Sequence, residues 1–483
     1  MNEKALSYIK NQLINGKEIL KPYVFKPGTT FSYPGRYAKI RIGGYIKKFI
    51  LTKGATSDRW IIMPGLSGTG KTTILAQLFF EYINKLDSNK VLYISLENIS
   101  LLDSSLQEIL EIYEQILGKR FEESQTPILL FIDEVHRDPQ WADVLTSLYN
   151  RSRNVMIICS GSSAIPLQTN SNDLGRRTRF EKLYPLCFGE FLMIKKNKFP
   201  STGLKFSIMD ALYNSSSASE AFSKLEKIKE EVFKYWADVD KKIEIENFLS
   251  IGTLPYAVKL EFNDRTQVFQ GIERLLDKII NKDIAELRRF DTETLGLIKK
   301  VLFLIADGDV FSINNLSSDI KINAITLSSM IDAIEKSELI IKIPAHGANS
   351  KKARKPAKFL FMSPAIRMAL LDVTGNVKTF LTRRGKLLED IAGMHFYREF
   401  IACGRGSVSY DSAKAGADFI LQIENKHQIA FEIGMGDKDI KQVESTMEKI
   451  KCDFGIVVCQ TEKPIIFEDK KIIKLPLEYF LLM

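Results

Sequence analysis

Met63-Pro64-Gly65-Leu66-Ser67-Gly68-Thr69-Gly70-Lys71-Thr72-Thr73 decides the reading of this chain. A short apolar run, Trp60-Ile61-Ile62-Met63, precedes it, and an apolar-periodic segment from Ile74 to Tyr82 follows. The order is strand, glycine-rich turn, helix. Gly65, Gly70, Lys71 and Thr72 fill the pattern G-x-x-x-x-G-K-[ST]. Glycines let backbone N–H groups converge on phosphate oxygens with no Cβ in the way. The helix start presents its unpaired N–H groups to the same anion. Lys71 supplies a point charge for the outer phosphates, and the Thr72 hydroxyl is a ligand for Mg2+. The stretch predicts that Gly65, Leu66, Ser67, Gly68, Thr69, Gly70, Lys71, Thr72 and Thr73 cradle a nucleoside triphosphate.

From Arg59 to about Phe191, short apolar runs alternate with segments of helical period. Strands are expected at 60–63, 91–96, 128–132, 155–160 and 180–186, with helices at 72–86, 101–117 and 141–149. That alternation predicts a parallel sheet covered on both faces. The third run ends in Phe131-Ile132-Asp133-Glu134, so two carboxylates reach the crevice at the strand ends, where ligands bind. Asp133 is expected to hold Mg2+ opposite Thr72, and Glu134 to orient and deprotonate an attacking water. The fourth run ends in Ser160-Gly161-Ser162-Ser163 and is expected between the first and third. Ser160 or Ser162 then senses the γ-phosphate or positions water; the competing reading is a plain strand-ending turn. Arg176 and Arg177 follow, as an arginine finger or as a solvated basic turn.

The totals set bounds. A chain of 483 residues is too long for one core and predicts about three domains. Its 45% hydrophobic and 26% charged residues are those of a soluble globular protein. No apolar run approaches the roughly 20 residues that span a bilayer, and the N-terminus lacks a secretory core, so no membrane partner is expected. The five cysteines lack paired metal spacing and the four histidines are scattered, which predicts reduced thiols, a cytoplasmic setting and no zinc site. The net charge of +9 fits a nucleic-acid partner or ordinary solvated lysines, and its location matters more than its sum.

Residues 65–72, Ile132-Asp133-Glu134, Ser160-Gly161-Ser162-Ser163, Gly175-Arg176 and the run Leu183-Tyr184-Pro185-Leu186-Cys187-Phe188-Gly189-Glu190-Phe191 carry a resemblance. The chain resembles the prokaryotic AAA-type ATPases whose P-loop domain is followed by a winged helix and a restriction-endonuclease-like domain. Cys187 stands where that family's run has serine, and Thr253 where its lid turn has a second glycine. Archaeal replication initiators share a broadly similar plan. The resemblance implies ATP rather than GTP, Mg2+ as cofactor, and a homo-oligomer with an arginine finger at its interfaces. It also implies an α/β fold: a P-loop AAA-type parallel sheet with a helical lid, then a winged helix and a small nuclease-like α/β domain. The expected divisions are 1–54, an N-terminal extension; 55–200, the ATPase core; 201–290, the lid; 291–373, the winged helix; and 374–483, the nuclease-like domain.

Within 291–373, apolar periodicity predicts helices at 294–305, 313–320 and 325–337, then two wing strands at 339–343 and 359–362. The loop between those strands holds Lys351, Lys352, Arg354, Lys355 and Lys358, five cations in eight residues with no acid. Such a patch suits a DNA backbone, while a protein-contact module with a solvated loop is the alternative. Beyond it, Glu389, then Asp418 and Glu432 on a hairpin, then a helix and strand, resemble the PD-(D/E)XK nuclease core. In that core the acids share a divalent metal, and a lysine two residues after the second acid activates water. Gly434 takes the lysine's place; Lys438 or Lys441 is a substitute, and a degenerate site kept for binding or assembly is the favoured reading. Three functions follow: an ATPase that couples nucleotide state to DNA binding or remodelling, a nucleotide-gated switch acting through a protein partner, for example in phage defence, or an ATP-regulated nuclease.

Overall fold

Buried apolar runs pair into one parallel sheet between Met1 and Tyr184. The structure is a computed structural model and describes residues 2–100, 102–161, 172–260, 265–288, 290–347, 355–371, 377–424 and 427–483. Strands β1 (Trp60–Pro64), β2 (Val91–Ser95), β3 (Ile128–Asp133), β4 (Val155–Gly161) and β5 (Arg179–Phe180) are ordered β2-β3-β4-β1-β5. Thus β4 lies between β1 and β3, bringing the phosphate loop and the Asp133 strand to one edge. The last strand is shorter than expected, but Glu181 N and Leu183 N continue its ladder onto Ile62 O (2.9 Å) and Pro64 O (2.8 Å).

The strand period of two sorts side chains between the two faces. Ile128, Leu130 and Ile132 enter one apolar layer with Tyr113 and Phe121. Leu129 and Phe131 enter the other with Phe49 and Phe79. Helix α1 (Glu3–Val24), capped by Asn2, gives Ala5 and Ile9 to the first layer and Leu20 and Val24 to the second. With α2 (Tyr37–Leu51) it builds the start of the chain into this unit. Helix α3 (Lys71–Tyr82) follows the phosphate loop. Of the helix expected at 101–117, residues 106–117 form α5 (Leu106–Leu117), and a separate short helix not expected from the sequence, α4 (Leu96–Ser100), precedes it. Asp103 turns left-handed (φ 50°), and the Ser105 hydroxyl accepts from Glu108 N to start α5 afresh.

The second unit runs from Pro185 to Met483. Its first helices close around Phe188, whose ring lies 4.9 Å from Trp236 and 5.3 Å from Phe248. Gly252 sits against Phe191, where a Cβ would come within 2.9 Å of the ring. Thr253, in place of a second glycine, shares a 2.6 Å hydrogen bond with the Ser363 hydroxyl. Helices Thr292–Asp307, Ile313–Ile320 and Ala324–Lys336 each begin on a side-chain cap (Asp291, Ser312, Asn323). With them, β6 (Val310–Phe311), β7 (Ile340–Ile343) and β8 (Ala357–Phe361) make an antiparallel sheet in the order β6-β8-β7.

The remaining strands are β9 (Gly406–Ser409), β10 (Phe419–Ile423), β11 (His427–Ile433), β12 (Phe454–Cys459), β13 (Ile465–Phe467) and β14 (Ile472–Pro476). They form a six-stranded sheet ordered β13-β14-β12-β11-β10-β9. Phe396, ending the helix Val377–Phe396, packs on Phe419 and Phe431 of that sheet at 5.1 and 5.0 Å. Among the described residues no helix is long and apolar enough to cross a membrane.

Arg367 and Asp390, both fully buried, join this helix to β8. The guanidinium donates to both Asp390 oxygens (2.7 and 2.8 Å) and to Ala306 O (2.9 Å), while Phe361 N donates to Asp390 (2.8 Å). Removing one member leaves a buried charge uncompensated. Asp390→Ala should therefore cost about 3–5 kcal/mol, read as a lower urea midpoint for unfolding of this unit. Asp309→Asn, at the more exposed partner of Arg367, should cost clearly less.

Candidate functional site

The loop between β1 and α3 is shaped by what its neighbours exclude. A Cβ on Gly65 would lie 2.3 Å from Leu183 O, so only glycine fits there. Gly68 and Gly70 have φ of 84° and 92°, left-handed conformations that favour glycine. The Thr69 hydroxyl donates to Leu66 O (2.7 Å), closing the turn. Lys71, buried, donates from Nζ to Gly65 O (2.8 Å) and Leu66 O (3.3 Å), so its ammonium lies across the loop it is expected to serve.

Arg36 reads from the sequence as one of several basic surface residues, with Lys39, Arg41, Lys47 and Lys48, yet it is buried and braces this loop. Its guanidinium donates to Thr69 O (2.7 Å) and to Tyr184 O (2.9 Å). Its partners are main-chain carbonyls more than thirty positions away, so no local pattern signals it. Arg41 and Tyr45, on α2, bind Glu181 in the same exit segment (3.0 and 3.1 Å).

Asp133 stands at the centre of a hydroxyl cage. Thr72 Oγ1 donates to it at 2.6 Å and the Tyr93 hydroxyl at 2.9 Å, and Ser160 Oγ donates to its other oxygen. Burial and the neighbouring Glu134 charge push its carboxyl above the ordinary range, while the three hydroxyls pull it back. Ser160 differs from expectation: it is fully buried, and its oxygen also accepts from Glu134 N (3.2 Å). Its hydroxyl is committed to the two carboxylate residues rather than offered to the crevice. Ser162 and Ser163 lie outside the described residues. Glu134 is left-handed (φ 55°), and His136 Nε2 lies 3.4 Å from its Oε2.

Tyr93 and His136 are additional residues at the site. Tyr93 lies two positions before Ser95, the register partner of Asp133, so its ring leaves the sheet on the same side as the acid. One polar-tipped aromatic in an aliphatic strand was the available signal. On α1, the Tyr8 hydroxyl accepts from Ser95 N (2.9 Å), and burial pushes its phenol up to about 12. Arg176 is exposed and Arg177 half-buried at the end of the helix Asn172–Arg177. The next arginine, Arg179, reaches Asp58 at 3.4 Å.

The second unit alters the basic-patch expectation. Lys358 is 6% exposed and unavailable as a free surface cation. Its Nζ lies 2.5 Å from Glu389 Oε2 and 3.2 Å from Asp418 Oδ1. It sits in β8, which is buried along its whole length, and against the opposing effect of burial Asp418 and Glu389 hold its ammonium above the usual lysine range. Lys355 is exposed and donates to Ser412 Oγ (3.0 Å). Lys351, Lys352 and Arg354 lie outside the described residues. The structure gathers the three acids: Asp418 N donates to Glu432 Oε2 (3.2 Å), and Lys438 Nζ lies 2.7 Å from Glu432 Oε1. Lys441 instead pairs with Asp439 at 3.0 Å. Burial and the Asp418 charge raise both Glu389 and Glu432, with Lys358 and Lys438 opposing them.

The parallel sheet, glycine loop and caged aspartate belong to an AAA-type P-loop fold, and the family described as AAA domain matches residues 57–192. A domain of unknown function matches residues 243–376. The chain belongs to the family of uncharacterized protein MJ1637 of Methanocaldococcus jannaschii, with 34% identity over 402 residues, 82% of this chain and 80% of that protein. Among solved structures, AMPPCP-bound DnaA from Aquifex aeolicus is similar at 15% identity, with 63% of this chain and 89% of that chain covered and a TM-score of 0.25. The Bacillus subtilis DNA clamp loader delta protein is similar at 10% identity, with 61% and 88% covered and a TM-score of 0.25.

Arg36→Met should leave the Thr69 and Tyr184 carbonyls without their shared donor and loosen the loop. Titration with a fluorescent ATP analogue should show affinity weakened about tenfold, ~1.4 kcal/mol, with Arg36→Lys intermediate because an ammonium lacks the planar fork.

Proposed function

We propose that this chain binds and hydrolyses ATP at residues 65–73 and couples its nucleotide state to DNA binding or remodelling. What carries the ATPase reading is the 2.6 Å bond between Thr72 Oγ1 and Asp133 Oδ2, which joins the two motifs in one site. A hydroxyl and a carboxylate beside a phosphate loop are hard oxygen donors and fit Mg2+. When bound, that ion neutralises charge on the phosphates. Lys71 exchanges the Gly65 and Leu66 carbonyls for phosphate oxygens. Glu134 orients and deprotonates water, and Ser160 positions it by holding its amide and the Asp133 carboxylate. Arg176 or Arg177 serves as the finger across a homo-oligomer interface. Five free thiols fit the cytoplasmic setting we assign.

Support for the DNA coupling comes from the helical trio with its β6-β8-β7 sheet, which suits a winged helix. The charge of +9 and exposed Lys355, beside Lys351, Lys352 and Arg354 in the sequence, suit a phosphate backbone. A second reading, the nucleotide-gated switch with a protein partner, is favoured by the face of helix Ala324–Lys336. Ile325 there is 78% exposed, and Arg288 and Lys336 are both paired with Asp332 (2.7 and 3.0 Å). An apolar residue among neutralised charges suits a protein better than a phosphate backbone.

Lys71→Ala should lower ATP turnover by roughly a hundredfold or more, and Glu134→Gln should stop turnover while ATP still binds. DNA should raise the wild-type rate. Absence of stimulation by single-stranded, duplex or forked DNA would remove the DNA coupling and leave the switch.

A further inference from the structure

We infer that Lys358 is the resident cation of the Glu389, Asp418 and Glu432 cluster. Its ammonium takes the place that a divalent metal would take, and it latches β8 to the six-stranded sheet. The resemblance to PD-(D/E)XK nucleases implies a metal shared by Asp418 and Glu432, and the residues present do not fit one. Nζ of Lys358 sits 2.5 Å from Glu389 and 3.2 Å from Asp418. Like-charge repulsion at such range opposes a second cation. The other Asp418 oxygen accepts from Ile433 N (3.1 Å). Both Glu432 oxygens are engaged, one by Asp418 N and one by Lys438. Among the described residues no group of three or more His, Cys, Asp or Glu side chains is set to hold a metal.

Contacts on either side tie this cluster into the architecture. The Lys438 stem crosses Gly434, where a Cβ would lie 2.2 Å from its Cε. Lysine reaches Glu432 from the following turn, over the position where the nuclease pattern has its own lysine. The chain on both sides of the basic loop is fastened to the same sheet as Lys358. His346 N donates to Tyr410 O (2.8 Å), Tyr410 N to Pro344 O (3.1 Å), and the Tyr410 hydroxyl to Pro356 O (2.7 Å). A buried ammonium with two acid partners completes that attachment with charge.

The test is a Mn2+ titration of the full chain without nucleotide, following the EPR signal of free ion. It compares wild type with Asp418→Asn, Lys358→Arg, Lys358→Met and Lys358→Met/Asp418→Asn. Wild type and Lys358→Arg should show no site that depends on Asp418. Lys358→Met should bind Mn2+ about tenfold or more tighter than wild type, and adding Asp418→Asn should abolish the gain. A wild-type Mn2+ site lost on Asp418→Asn overturns the inference, as does a folded Lys358→Met that gains no site. Should Lys358→Met fail to fold, the wild type against Asp418→Asn decides alone: an Asp418-dependent site overturns the resident-lysine reading, and its absence upholds it.

Discussion

A carboxylate left 4% exposed must find its partners inside the protein, and Asp133 is such a group. Its oxygens are met by one hydroxyl from the phosphate-loop helix, one from β2 and one from β4. Three elements distant in sequence are thereby held at one point, and the strand order β2-β3-β4-β1 is what brings them there. Glu134 inherits its placement from the same cage, because its amide is bound by the Ser160 oxygen that donates to Asp133. The left-handed backbone at Glu134 turns the chain sharply away from the strand just past the acid.

The P-loop unit was legible because its signals are local. A strand, a glycine pattern and a helix are contiguous, and an aliphatic run ending in two acids identifies itself. The roles of Arg36 and Tyr8 were not legible, since each acts on a partner 33 or more positions away, and Tyr93 stood out only as a polar-tipped aromatic in an aliphatic strand. The helix expected at 101–117 starts late for a local reason: apolar periodicity continued through a turn with left-handed Asp103, and the Ser105 cap sets the start of α5 at Leu106. Lys358 misled in the opposite sense. Within a basic run it reads as surface, and only the acids at 389 and 418, remote in sequence, reveal it as buried.

In the second unit, Lys358, Arg367 and Lys438 each meet acids, and of these three pairings only Lys438 with Glu432 is local. Arg367 with Asp390 joins one helix to the next and to β8, and Lys358 joins the same strand to the adjacent sheet. Ion pairs of this kind specify which elements meet rather than supplying bulk stability. Apolar contacts such as Phe396 with Phe419 and Phe431 supply the latter.

The guanidinium of Arg36 is a rigid plane, and two of its nitrogens touch two different carbonyls. One carbonyl belongs to the tip of the phosphate loop, and the other to Tyr184, the last residue before Pro185 opens the second unit. A flat fork with fixed spacing works as a caliper: the tip and the exit point keep a set separation while both prongs stay engaged. The residue that sets the gauge is the one that caps the chain's second helix, immediately before Tyr37.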